Sequence, residues 1–222
     1  PPRGTSALRA RHVWMAHFAL SDERRGRFRF AEKLAREAIG LAGAETSPFR
    51  VWVEGWRAAA AGPGFAPLEL TAEAGGMSLA LVLEAGKPPV LQGEAGWSRK
   101  GPEPDNASYY YSLTRLPTRG TVELDGERFE VAGDSWMDRE WSTSALGPEL
   151  SGWDWLALQL DDGRDLMLYR LRRRDGGADP ASAGSLVGRD GTVRTLAAQD
   201  FRLTPLGVWE SPRGGAYPAG FR

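Results

Sequence analysis

The chain contains no cysteine. Disulfides, thiolate nucleophiles and thiolate metal ligands are excluded, and no redox compartment is implied. Histidine is almost as scarce: His12 and His17 are the only two. A three-histidine metal site cannot be assembled from this chain alone. No run approaches the roughly 20 apolar residues of a membrane span. The net charge is −1 over 222 residues, so nothing points to nucleic acid or to an anionic surface. The phosphate loop GxxxxGK[ST], a dinucleotide GxGxxG after a strand, a GxSxG elbow and an HExxH helix are also missing. A nucleotide enzyme, a serine hydrolase and a zinc protease are disfavoured. The opening "PPRGTSALRA" has no signal-peptide core and no initiator methionine. We therefore expect a processed or trimmed chain.

What is abundant points to β structure. Glycine (28) and proline (15) are spread along the chain, and there are nine tryptophans. Short apolar runs recur between turn signals. Strands are expected near His12–Leu20, Phe49–Trp56, Leu68–Ala74, Met77–Glu84, Ser108–Leu116, Gly120–Leu124, Glu127–Gly133, Trp153–Leu160, Asp165–Arg172, Ala183–Val187 and Val193–Leu196. Asp125-Gly126, Asp162-Gly163 and Asp190-Gly191 each sit between two such runs. Asp-Gly supplies positive φ at little cost, so three hairpins of an antiparallel meander are expected. One stretch breaks the pattern. "FAEKLAREAIGLA" has helical apolar spacing and predicts a short helix around Ala31–Ile39 in a long loop. Arg172-Arg173-Arg174 reads as a solvated strand end.

Along Trp153–Leu160, Trp153, Trp155, Ala157 and Gln159 share one face, and Asp154, Leu156, Leu158 and Leu160 the other. Both faces carry large apolar groups, so both are expected to be covered. That fits a barrel strand with its interior on one side and a second barrel or a partner on the other. Asp154, among leucines, needs a partner.

Chemistry is concentrated in "GDSWMDREW", Gly133–Trp141. If it is extended, Trp136, Asp138 and Glu140 share a face, with Met137, Arg139 and Trp141 opposite. Two carboxylates about 7 Å apart, from two residues of strand rise, lie among indole rings. Such surroundings can keep a carboxyl protonated. The alternative is that they anchor one end of a barrel through Arg115, Arg139 or a turn backbone. In "ASYYYSLTRL", Tyr109 and Tyr111 share a face with Leu113 and Arg115, and Tyr110 shares the other with Ser112 and Thr114. Core packing and a binding role both remain open for these aromatics, as for Trp153 and Trp155. His12 and His17 fall on opposite faces of a straight strand, so a shared metal is not expected. His17 interrupts an apolar run and is the better functional candidate.

Five blocks occur in order: "MAHFALSD", "SYYYSLTRL", "GDSWMDREWSTSAL", "GWDWLALQLDDGRDLMLYRLRR" and "WESPRGGAYPAGFR". Together they resemble the AttH-like group that includes carotenoid 1,2-hydratase (hydroxyneurosporene synthase), often labelled predicted secreted hydrolases. The resemblance spans roughly Val13 to Arg222. It implies an all-β, antiparallel lipocalin-like (calycin) fold with two barrel halves. Residues 1–197 would form the first barrel domain, and 198–222 a connector toward a second that is mostly absent. The hydratase members protonate the terminal double bond of an acyclic carotenoid and add water, without a cofactor or metal. Aromatic faces can stabilise the intermediate cation. The resemblance makes Asp138 the acid, with Glu140 as its paired carboxylate and Tyr111 or His17 orienting acid or water. Trp136, Trp141, Trp153, Trp155, Tyr109 and Arg115 complete the substrate-binding set. It implies a hydrophobic partner (polyene, isoprenoid or lipid), with a second barrel half or a second copy completing the groove. A periplasmic or membrane-associated location is the family's suggestion; the residues themselves identify none. A lipocalin-like carrier without catalysis is the competing reading.

Overall fold

The structure is a computed structural model that describes residues 12–103, 105–143 and 146–222. Its strands are β1 (Val13–Asp22), β2 (Arg27–Arg36), β3 (Ala42–Thr46), β4 (Phe49–Val53), β5 (Trp56–Ala60), β6 (Leu68–Ala74), β7 (Met77–Leu83), β8 (Val90–Leu91) and β9 (Trp97–Arg99). Next come β10 (Ala107–Leu124), β11 (Glu127–Trp141), β12 (Leu150–Gln159), β13 (Asp165–Arg173), β14 (Ala183–Val187), β15 (Val193–Ala197), β16 (Val208–Glu210) and β17 (Ala216–Pro218). The fold is all-β and antiparallel, as expected. The described chain forms two compact units. One holds the described residues up to Gly86, with Leu116–Ser135; the other holds Lys87–Arg115 and Trp136–Arg222.

In the first unit, β3 to β7 form a meander in which each strand pairs with the next. The β1–β2 hairpin lays one face on its own core. Phe18 packs edge-on against Trp56, with Met77 and Leu124 completing the cluster. Ala35, Ala42 and Val53 form a second cluster. The helix expected over Ala31–Ile39 is not formed. Arg27–Arg36 is strand, paired residue by residue with β1 from Asp22↔Arg27 to Val13↔Arg36. Only Ala38–Gly40 makes a short 3₁₀ turn. Alanines spaced by four serve a strand as well as a helix, because an even spacing keeps Ala31 and Ala35 on one strand face. Cross-strand pairing then outweighs propensities that differ by less than about 0.7 kcal/mol per residue.

The boundaries differ elsewhere for local reasons. The expected strand Phe49–Trp56 is split by a turn at Glu54-Gly55, where Glu54 takes φ +53. The two strands expected over Ser108–Leu124 are one, with Pro117 accepting a bond from the Glu84 N–H through its carbonyl. Asp125-Gly126 is a two-residue turn with both φ values positive, the geometry that matches strand twist. Asp162-Gly163 and Asp190-Gly191 also close hairpins, but in longer loops with a single positive-φ glycine.

In the second unit, β12, β13, β14 and β15 form a four-stranded sheet in that order. β8 and β9 pair with the start of β10. Met167, Tyr169 and Leu171 project from one face of β13 and meet Tyr110 and Leu150. Met167 is 1% exposed, and truncating such a side chain to alanine costs about 2–5 kcal/mol. A buried ionic cluster lies beside this core. Asp165, fully buried, accepts bonds from Lys87 Nζ at 2.8 Å, Thr114 Oγ1 at 2.8 Å and Arg115 Nη2 at 2.7 Å. Arg115, read from sequence as a partner for the WMDREW carboxylates, is thus bound to Asp165. Asp154 has its expected partners in Arg172, at 3.3 Å, and Arg170, at 3.8 Å. Arg173 pairs with Asp175 and Asp179 at the end of β13. Among the described residues no helix is long and apolar enough to cross a membrane.

Candidate functional site

The β10 and β11 strands carry the site. Counting back from the turn at Asp125-Gly126 would set Leu113 opposite Asp138. The side chain that bonds Asp138 is instead Ser112, one residue away. Side chains alternate faces along a strand, so the pairing slips by an odd number of residues between the turn and the site. The slip exchanges the tyrosines. Ser108, Tyr110 and Ser112 share the face of Asp138 and Glu140, while Tyr109 and Tyr111 face the other way.

Asp138 is half-buried and held by two donors on one oxygen. Ser112 Oγ lies 2.6 Å from its Oδ1, and Trp136 Nε1 lies 3.0 Å from the same atom. Ser112 is itself oriented, because Gln92 Nε2 donates to its Oγ at 2.9 Å. The serine in turn donates to the carboxylate. Gln92 and Ser112 are both buried. Gln92, Ser112 and Asp138 thus form a hydrogen-bonded polar line anchored on two buried residues.

The Tyr110 hydroxyl is the next member. It receives a bond from Trp155 Nε1 at 3.2 Å and interacts with both Ser112 and Asp138. Burial, the largest cause, pushes the Tyr110 phenol well above the ordinary tyrosine value. It stays protonated throughout the neutral range. Tyr169 behaves similarly, raised chiefly by burial, with a partly offsetting bond to Ser98 Oγ at 3.2 Å.

Tyr110 opens onto a cleft of about 410 Å³. Trp153, Trp155, Tyr169 and Leu171 supply its apolar walls, and Lys100 and Glu140 its charged ones. Glu140 accepts a bond from Ser108 Oγ and pairs with Lys100 Nζ at 3.0 Å. Lys100 Nζ also lies 4.2 Å from the Tyr169 ring centre and 5.3 Å from that of Tyr110. The cleft is thus aromatic, electron-rich and lined by one ion pair. A cation formed inside it would face several rings.

The structure brings together Asp138, Glu140, Trp136, Trp153 and Trp155 in one unit, on or directly behind one cleft. It sets Tyr109, Tyr111 and Trp141 apart, on the opposite face of β10 and β11. There Trp141 stacks on Tyr109 at 5.6 Å and meets Tyr111 edge-on at 6.3 Å, and Trp97 adds a fourth ring. His17 belongs to the first unit, on an exposed strand face. Its Nε2 is 2.9 Å from Glu32 and its ring lies against Phe30. Sequence reading missed Tyr110, Ser112, Gln92 and Lys100. The alternation of Tyr110 with Ser112 and Thr114 was visible; which face met the carboxylates was not. Among the described residues no three His, Asp or Glu side chains are grouped to hold a metal ion.

An all-β antiparallel protein with an aromatic cleft backed by a hydrogen-bonded carboxylate is the class that fold and site define. The AttH-like family model matches residues 2–222, and the chain belongs to that family. Among solved structures, the chain is similar to an AttH-type protein from Nitrosomonas europaea. The TM-score is 0.84 at 35% identity, covering 95% of this chain and 65% of that one. It is also similar in fold to kievitone hydratase from Nectria haematococca, with a TM-score of 0.71 at 15% identity, covering 92% of this chain and 61% of that one. The chain thus spans less than two thirds of either neighbour. No curated protein matches it.

Proposed function

We propose that this chain provides the ligand cleft and the proton-transfer group of a cofactor-independent hydratase acting on an alkene of an apolar isoprenoid or polyene. The observation that carries the reading is the Asp138–Tyr110 pair. Ser112 and Trp136 hold the carboxyl group through Oδ1, beside the Tyr110 hydroxyl. The phenol that separates it from the cleft resists ionisation. In this reading protonated Asp138 passes its proton to Tyr110 as Tyr110 passes its own to the alkene carbon. The phenol is never left charged, which its burial would penalise. The π bond becomes a C–H bond and a cation on the neighbouring carbon. Trp153 and Trp155 face that cation. Water forms the C–O bond and returns a proton through Tyr110 to Asp138, so the site is restored. Membership of the AttH-like family and the fold shared with a hydratase support the reaction class.

The test is to express the chain in cells that make mixed lipids and polyenes and to weigh what co-purifies. A bound polyene or isoprenoid heavier by one water in wild type, but not in Asp138→Asn, is the expected result. An unmodified lipid in both proteins would replace this reading with that of a carrier, the competing function of a lipocalin-like cleft.

A further inference from the structure

The cleft is not built for a pure hydrocarbon. Lys100 and Glu140 form an ion pair on its wall, and Lys100 is only 18% exposed. An oily ligand that filled the cleft would strip the remaining water from both charges and return no hydrogen bond. The wall therefore offers an ammonium donor and a carboxylate acceptor. A hydroxyl group can answer both charges, accepting from the ammonium and donating to the carboxylate; an ether or a carbonyl can only accept.

We propose that the substrate is an apolar molecule carrying a hydroxyl group near its reacting alkene, and that Lys100 and Glu140 are the specificity residues that read it. The proximity follows from geometry. Lys100 Nζ is 5.3 Å from the Tyr110 ring centre, so the hydroxyl site and the proton-delivering phenol lie one tyrosine ring apart. The substrate's oxygen then sits close to its double bond, not at the far end of a long chain. This inference rests on the cleft being the ligand site of the proposed hydratase, and it narrows the substrate class.

The test is a binding titration, not an activity assay, so that it stands apart from turnover. Farnesol and farnesene share an isoprenoid skeleton and differ by the hydroxyl. Both are presented as cyclodextrin complexes, and quenching of tryptophan fluorescence is followed. Wild type is expected to bind farnesol at least about tenfold more tightly, the effect of one hydrogen bond to a charged group. Lys100→Met should reduce that preference to about twofold or less. Glu140→Gln, which keeps shape and loses charge, should weaken it. Lys100→Arg should retain most of it, which separates loss of recognition from loss of fold. Equal affinity for the two ligands in wild type would overturn the inference and leave the hydratase reading standing. So would a preference that Lys100→Met does not change. Failure of both ligands to bind would overturn the inference and the reading together.

Discussion

Trp155 Nε1 donates to the Tyr110 hydroxyl at 3.2 Å, tying β12 to β10 across the inside of the second unit. The bond fixes which lone pair of the phenol is occupied, and so directs its proton toward Asp138 or the cleft. Trp155→Phe keeps an aromatic wall but removes the donor. We expect ligand affinity to change by less than about threefold and the hydration rate to fall about fivefold, the worth of one neutral hydrogen bond. Separate measurement of kcat and KM checks the division.

Asp138→Asn removes the proton reservoir while preserving the shape that Ser112 and Trp136 grip. Hydration should fall by about 10²- to 10⁴-fold, the usual contribution of a positioned acid. The circular dichroism spectrum and ligand binding should be unchanged. Full turnover in this variant would assign the carboxylate to the fold alone.

Tyr110 and Tyr111 are adjacent in sequence and opposite in space. Tyr110→Phe should lower hydration by about 100-fold or more. Tyr111→Phe, on the Trp141 face, should leave the rate within about twofold. Reversed results would mean that the pairing of β10 with β11 does not slip as described.

The two raised phenols make a pH prediction. A raised folded-state pKa means that the folded protein holds the proton more tightly than the unfolded chain. Stability is therefore fully present below the unfolded tyrosine value of about 10 and is lost as pH rises above it. Urea denaturation between neutral and strongly alkaline pH should show that decline. Tyr110→Phe and Tyr169→Phe should each flatten it. An undiminished slope in both variants would place the alkaline sensitivity elsewhere.

Asp165 pairs with both Lys87 and Arg115 in the buried cluster. Asp165→Asn leaves two cations facing a neutral amide. We expect a loss of about 3–5 kcal/mol in unfolding free energy, as for other buried pairs broken on one side. Chemical denaturation monitored by tryptophan emission measures it. A loss below about 1 kcal/mol would show that the two cations find water when their anion is removed.

Much of this was legible in the chain. The Asp125-Gly126 turn, the period-2 alternation of Trp153–Gln159 and the common face of Trp136, Asp138 and Glu140 are each decided by neighbours in sequence. The need of Asp154 for a partner was legible too, because a carboxylate among leucines must be paired. The strand at Arg27–Arg36 was not. Its alternation is weak, its residues favour helix, and only pairing with β1 makes it extended.

The sequence by itself determined the class: all-β, antiparallel, free of thiol chemistry, with carboxylates set among aromatics. Those properties depend on composition and on periods of two to four residues, which the chain displays directly. Tertiary structure alone decided which tyrosine joins Asp138, which acid holds Arg115, and that Lys100 faces the cleft. Each depends on strand register or on groups dozens of residues apart, such as Arg115 and Asp165 or Tyr110 and Trp155. A slip of one residue turns every side chain to the other face, and no local pattern in the β10 and β11 sequences records that slip.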